Sequence, residues 1–162
     1  MIKAIMAIDD KEGVSKNGTM PWPKNSTDLR WFKTNTLNQV IIMGRLTWDD
    51  PVMPSTLKDR INILVTSKDK MNYIGADHCI SGDLLLHTKN FSKEYATKDI
   101  FIIGGPNIIN QLFEIVEEFY LTRVYGDFDC DKKLDYNKIK DSMKLSEKIQ
   151  NDPLCHFEIW KK

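Results

Sequence analysis

The chain lacks most of the features by which function is usually read from a sequence. Its three cysteines, Cys79, Cys130 and Cys155, are scattered, odd in number and without CxxC spacing. That argues against a disulfide framework or a thiolate zinc site and points to a reducing cytosol. Neither sign of charge is in excess: 23 Lys and Arg stand against 23 Asp and Glu. No overall field therefore selects nucleic acid or an anionic membrane. No apolar run approaches the length of a bilayer span, and the opening MIKAIMAIDD enters a strand-like run without signal-peptide grammar. The histidines, His78, His87 and His156, fall in no catalytic or metal-ligand spacing, so they read as structural or surface residues and no metal is expected. The dinucleotide fingerprint GxGxxG is missing as well. A soluble cytoplasmic protein is left, its 162 residues forming one domain (1–162) long enough to bury a core.

What is present is a pattern of short apolar runs ending in turn residues. Ile2 to Ile8, Gln39 to Met43, Arg60 to Thr66, His78 to Ile80 and Asp99 to Ile103 read as strands. Lys11 to Lys24 reads as a loop, long enough to be functional. Ser26 or Thr27 is a good N-cap for a helix to about Thr36, with Asp28 in its first turn. A short helical turn follows Gly44-Arg45, Ser81-Gly-Asp-Leu opens a helix to about His87, and Pro106 starts another. Glu118 to Gly126 and Leu154 to Trp160 predict an antiparallel pair, joined by a charged connection without a clear periodicity. The fold class is α/β, with a mostly parallel sheet, right-handed crossovers and an antiparallel C-terminal edge. In such sheets ligands bind beyond the carboxyl ends of the strands, and that is where the polar candidates fall.

Gly44-Arg45 and Gly104-Gly105 are strand-to-helix junctions at which a phosphate can approach the backbone, and Arg45 adds a permanent forked cation. Thr66-Ser67-Lys68 follows a strand at the same sheet edge and suits a ribose phosphate. Arg60 suits a carboxylate. Asp28 poses the sharpest question, because it shares a helical face with Leu29, Trp31 and Phe32 and has no second acid nearby. A carboxylate there is a helix-start device or a buried chemical handle of raised pKa. The residues by themselves leave both readings standing.

Six segments carry a family resemblance: TMPW at 19–22, DLRWFKTNT at 28–36, VIIMGRLTW at 40–48, RINILVTS at 60–67, IFIIGG at 100–105 and YLTRV at 120–124. In order and spacing the chain resembles the dihydrofolate reductases from Met1 to about Asp131. The resemblance implies eight strands and four flanking helices in a monomer that reduces 7,8-dihydrofolate with NADPH. It makes Asp28 the active-site acid, Trp22 its water-linked partner and Thr122 the threonine that hydrogen-bonds it. Ile5, Ala7, Leu29, Phe32 and Ile103 become walls around the pterin and nicotinamide. Leu57 and Arg60 become the site of the benzoylglutamate tail. The cofactor positions are Ala7, Ser15, Met20, Gly44, Arg45, Thr47, Thr66, Ser67, Gly104, Gly105, Asn107 and Ile108, with a closing loop over 13–23 and a cis Gly104-Gly105 peptide.

The chain also departs from the pattern. Ile109 replaces a common tyrosine, Asn107 a basic residue, Ser15 a loop glycine and DCDKKLD at 129–135 a Gly-Asp-Thr motif, while Asp49 to Thr56 is extended. Two alternatives stay open. One is the related reductase domain of riboflavin biosynthesis, against which Asp28 with Phe32 argues. The other is a nucleotide-binding module without turnover.

Overall fold

Strands that are apolar on both faces form the centre of this protein, because both faces of its sheet are covered. The computed structural model describes residues 1–53, 56–150 and 152–162. In chain order the strands are β1 (Ile2–Ile8), β2 (Gly13–Ser15), β3 (Val40–Gly44), β4 (Ile61–Val65), β5 (His78–Ile80), β6 (Ile100–Gly104), β7 (Glu118–Val124), β8 (Lys132–Lys133), β9 (Lys144–Ile149) and β10 (Cys155–Lys161). The helices are α1 (Ser26–Thr36), α2 (Arg45–Trp48), α3 (Leu84–Glu94), α4 (Pro106–Leu112) and α5 (Tyr136–Ser142).

Eight strands form one sheet in the order β5-β4-β3-β6-β1-β7-β10-β9. Pairing is parallel from β5 through β7 and antiparallel between β7 and β10 and between β10 and β9. Alternate residues of each strand feed opposite faces. Ile42 and Ile102 join one core with Leu112 and Phe119, whereas Ile41 and Phe101 join another with Ile5 and Leu64. The expected eight-stranded, mostly parallel sheet with an antiparallel edge is present, and four of the helices exceed a single turn.

The differences from the sequence reading are local. The 11–24 loop contains β2, which pairs with β8 as a separate two-stranded ribbon. Asn25, rather than Ser26 or Thr27, caps α1, its Oδ1 accepting from the backbone N–H of Thr27 (3.0 Å) and Asp28 (3.1 Å). Asp83 caps α3, which starts later and runs longer than expected. The charged connection holds β8, α5 and β9. Helix α5 is capped by Asp135 and buries Tyr136 and Ile139. The edge strand β9 is exposed nearly throughout. Of the extended Asp49 to Thr56 segment, Pro54 and Ser55 lie outside the described residues.

All three histidines have neighbours within the fold, in keeping with structural roles. His78 Nε2 meets the Tyr95 hydroxyl at 2.9 Å and His87 Nε2 the Ser81 carbonyl at 3.0 Å. His156 Nε2 lies 2.7 Å from buried Glu158, which also accepts from the Tyr136 hydroxyl and the Trp160 indole N–H, both at 2.9 Å. Among the described residues no group of His, Cys, Asp or Glu is arranged to hold a metal. No helix among them is long and apolar enough to cross a membrane.

Candidate active site

The carboxyl ends of β1, β3, β4 and β6 open into one cavity of about 540 Å³, lined at those ends by Ala7, Gly44, Val65 and Gly104. This is the crevice that parallel sheets offer to ligands. Helix α1 supplies Asp28, Leu29, Trp31 and Phe32 to one wall, and Thr122 of β7 stands beside Asp28.

Because Asn25 already satisfies the free amides at the start of α1, the Asp28 carboxylate is not a capping group. Instead its Oδ1 accepts a 2.6 Å hydrogen bond from the Thr122 hydroxyl. Among the described residues, Oδ2 has no hydrogen-bond donor, and the side chain is half-buried at the cavity wall. Burial pushes its pKa above the ordinary carboxylate value, and the hydrogen bond from Thr122 only partly opposes this. Asp28 is therefore a desolvated acid with one oxygen held and the other facing a ligand-sized space.

The cavity brings together most of the residues singled out in the sequence: Ile5, Ala7, Ser15, Met20, Asp28, Leu29, Phe32, Gly44, Arg45, Thr47, Ile103, Gly104, Gly105, Asn107, Ile108 and Thr122. Five others do not line it. Trp22 is buried with Val124, Cys155 and Phe157 and meets Phe128 edge-on at 5.8 Å. Leu57 is buried against the Phe32 side of the core. Arg60 donates from Nε to the Thr36 hydroxyl (3.2 Å) and from Nη1 to the Lys58 carbonyl (2.8 Å). The Thr66 hydroxyl accepts from the backbone N–H of Lys68 at 3.2 Å, and Ser67 is exposed. Ile109, where a tyrosine is common in the resembling family, is a core residue 1% exposed.

The peptide between Gly104 and Gly105 is cis. Gly104 has φ 131°, a region open to glycine, and a Cβ there would sit 3.3 Å from the Thr47 hydroxyl and 3.2 Å from Met6 Sδ. A Cβ on Gly44 would sit 3.2 Å from Ile108 Cγ1. Both turns are thus bare backbone facing the cavity.

The 13–23 loop is held from both sides. On one side Asp131 accepts from the Asn17 N–H at Oδ2 (2.9 Å) and donates its own N–H to the Ser15 carbonyl (3.0 Å). On the other, the Thr19 hydroxyl donates to Asp50 Oδ1 at 2.8 Å. The base of the loop is tight. A Cβ on Gly13 would collide with the Cys130 side chain. Gly13→Ala is expected to cost about 1–3 kcal/mol through overpacking, measured as a lowered urea midpoint at unchanged m-value.

Several lining residues were not identified as such in the sequence: Met6, Val14, Gly18, Trp31, Leu46, Asp50, Met53, Val65, Pro106, Lys132 and Lys133. Strand alternation placed Met6 on a known strand but not on a known face. Lys132 and Lys133 carried no signal, since β8 exists only through its pairing with β2.

A model of the family described as dihydrofolate reductase matches residues 1–161. The chain belongs to the dihydrofolate reductase family. It is 28% identical over 172 residues to the type 9 dihydrofolate reductase of Escherichia coli, covering 98% of this chain and 92% of that one. It is 36% identical over 125 residues to a Buchnera aphidicola dihydrofolate reductase, covering 76% and 71%. Its fold matches that of a dihydrofolate reductase from Enterococcus faecalis, solved with NADP(H) and RAB-propyl. The TM-score is 0.82 at 20% identity, with 99% and 95% covered. As a dihydrofolate reductase family member it meets the family model beyond Asp131 too, including the DCDKKLD stretch where the motif resemblance ends.

Proposed function

We propose that this family member reduces 7,8-dihydrofolate to 5,6,7,8-tetrahydrofolate with NADPH, as a cytoplasmic, single-domain monomer. The observation that carries the reading is Asp28, desolvated at the cavity wall with Oδ1 held by Thr122 and Oδ2 open. A pterin presents an amidine-like edge, with its 2-amino group and N3 matched to two carboxylate oxygens.

The residues around Asp28 also suit the cofactor. The cavity joins apolar walls (Ile5, Ala7, Ile103) to bare backbone at Gly44 and Gly104 and to cationic side chains such as Arg45. That combination fits a flat nicotinamide at one end and phosphates further along. When bound, NADPH supplies the hydride that passes to C6 of dihydrofolate. The protein aligns the rings, excludes water and manages one proton. Phe32, Leu29 and Ile5 sandwich the pterin, Asp28 holds it and raises the proton occupancy at N5, and the loop carrying Ser15 and Met20 closes the nicotinamide side. Arg60, outside the cavity lining, binds the α-carboxylate of the glutamate tail. Thr66 and Ser67, at the end of β4, receive the ribose phosphate.

The test is NADPH oxidation by the purified protein, followed by absorbance with and without dihydrofolate. Oxidation that requires dihydrofolate supports the reductase. NADPH binding with no folate-dependent oxidation leaves a binding module and overturns the proposal.

A further inference from the structure

Among the described residues three cations line the cavity, and two of them come from a strand that no motif marks. Lys132 and Lys133 form the whole of β8 and sit on the cavity rim with Arg45. Among the described residues neither lysine has an ion-pair partner or a side-chain hydrogen bond. Lysines at other edges of the fold can be engaged. Lys138 Nζ, for example, donates to Asn110 Oδ1 at 2.9 Å and lies 4.8 Å over the Phe113 ring. The two lining carboxylates do not neutralise the pair: Asp28 is held by Thr122, and Asp50 accepts from the Thr19 hydroxyl and the Val52 N–H.

The two lysines are fixed in place by their backbone. Lys133 pairs with Gly13 and Lys132 with Ser15 across the β2–β8 ribbon. The Leu134 N–H donates to the Glu12 carbonyl, and the Asp131 N–H to that of Ser15, both at 3.0 Å. Lys133 also lines a second, smaller cavity with Pro106 and Asn107. It therefore stands between the 13–23 loop and the turn after β6, beside a position, Asn107, that carries no charge.

We propose that Lys132 and Lys133 bind the cofactor's diphosphate. The inference rests on the NADPH reading above and assigns part of that site to residues outside the family motifs. The diphosphate is the midpoint of a dinucleotide, and Lys133 lines both cavities together with Pro106 and Asn107, just past the Gly104-Gly105 turn whose bare backbone suits phosphate. The Thr66-Ser67-Lys68 turn lies past β4, separated from β1 by β6 and β3. Three strand spacings put it roughly 14 Å from β1, which suits the 2′-phosphate of the adenosine end.

The Lys132→Met, Lys133→Met double variant tests this, with Kd for NADPH and for NADH measured by calorimetry. Both Kd values should rise by roughly tenfold, because charge-assisted contacts to a group common to both cofactors are lost. The NADPH to NADH ratio should stay at its wild-type value, and the salt dependence of binding should flatten. The variant should melt with the wild type, since exposed, unpartnered lysines add little to stability. The Lys132→Arg, Lys133→Arg variant should restore tight binding. Unchanged Kd values in a wild-type-like fold would overturn the assignment, as would a loss confined to NADPH. A wild type that binds neither cofactor would overturn the function reading itself, whereas a wild type that binds and turns over beside an unaffected variant removes only the lysines' role.

Discussion

Asp28→Asn is expected to lower dihydrofolate-dependent turnover at neutral pH by roughly two to four orders of magnitude, the usual contribution of a positioned acid. The amide fills the same space beside Thr122 but has no proton to share and offers an N–H where the pterin also offers donors. Wild-type turnover should fall as pH rises through the elevated pKa of Asp28, since the protonated fraction near N5 falls with it. The variant should lose that inflection and regain rate only as the solution itself becomes acidic. A pH profile with the inflection intact in Asp28→Asn would remove Asp28 from proton supply.

The same substitution should make the protein more stable at neutral pH. A carboxyl whose folded pKa is raised binds more protons in the native state than in the unfolded one between the two pKa values. Stability from that group therefore falls as pH rises across the window from the ordinary carboxylate value, 3.8, to the raised folded value. Asn at position 28 escapes this cost, so its melting temperature should exceed that of the wild type at pH 7 and the difference should shrink toward pH 4. Function and stability oppose each other at this site.

Asp9→Ala should unfold the base of the 13–23 loop beside the cavity, at a cost of about 3 kcal/mol, from buried donors left without an acceptor. Asp9 is 0% exposed. Its Oδ1 accepts from the N–H of Lys11 (2.9 Å) and Gly13 (2.8 Å), and its Oδ2 from that of Phe128 (3.0 Å) and the Cys130 thiol (3.5 Å). One carboxylate thus joins the start of β2 to the segment that leads into β8. Asp9→Asn keeps one carbonyl oxygen and should lose about half as much. Burial raises the Asp9 pKa, but the backbone hydrogen bonds from Phe128, Gly13 and Lys11 outweigh it, so the folded value is depressed. Its contribution is therefore present above pH 3.8 and lost as pH falls through the folded value. Urea titrations at pH 7 and pH 3 check this: the gap between wild type and Asp9→Asn should narrow in acid. In Asp9→Ala the KM for NADPH should rise as well, because Val14, Ser15, Lys132 and Lys133 all reach the cavity from the ribbon that Asp9 anchors.

How legible each part was follows from how local its cause is. Burial on both faces demands unbroken apolar runs, so β1, β3, β4 and β6 show in the chain itself. Their carboxyl ends bring Ala7, Gly44 and Gly104 to one crevice, and helical spacing sets Asp28, Leu29 and Phe32 on its wall. The cap of α1 lies one residue before Ser26 and two before Thr27, the candidates the sequence offers, because Asn25, Ser26 and Thr27 all carry a suitable oxygen. Only the geometry chooses Asn25, whose Oδ1 reaches two amides. Helix α5 did carry a signal, Asp135 three residues before the Lys138 N–H it caps, but the surrounding charges hid its short apolar face.

The α/β class, the parallel centre of the sheet and one acid among aromatic residues are written in the chain, because they depend on periodicity and residue type within a few turns. The long-range packing alone puts that acid at a cavity wall, with Asn25 and not Asp28 capping the helix. Whether Asp28 serves the helix start or faces a cavity depends on Thr122, 94 positions away, and on burial by distant strands. The ribbon of β2 and β8 is likewise a long-range event. Two lysines with no pattern of their own become part of a cavity because Gly13 and Ser15 supply the missing hydrogen-bond partners, and no local propensity encodes that meeting.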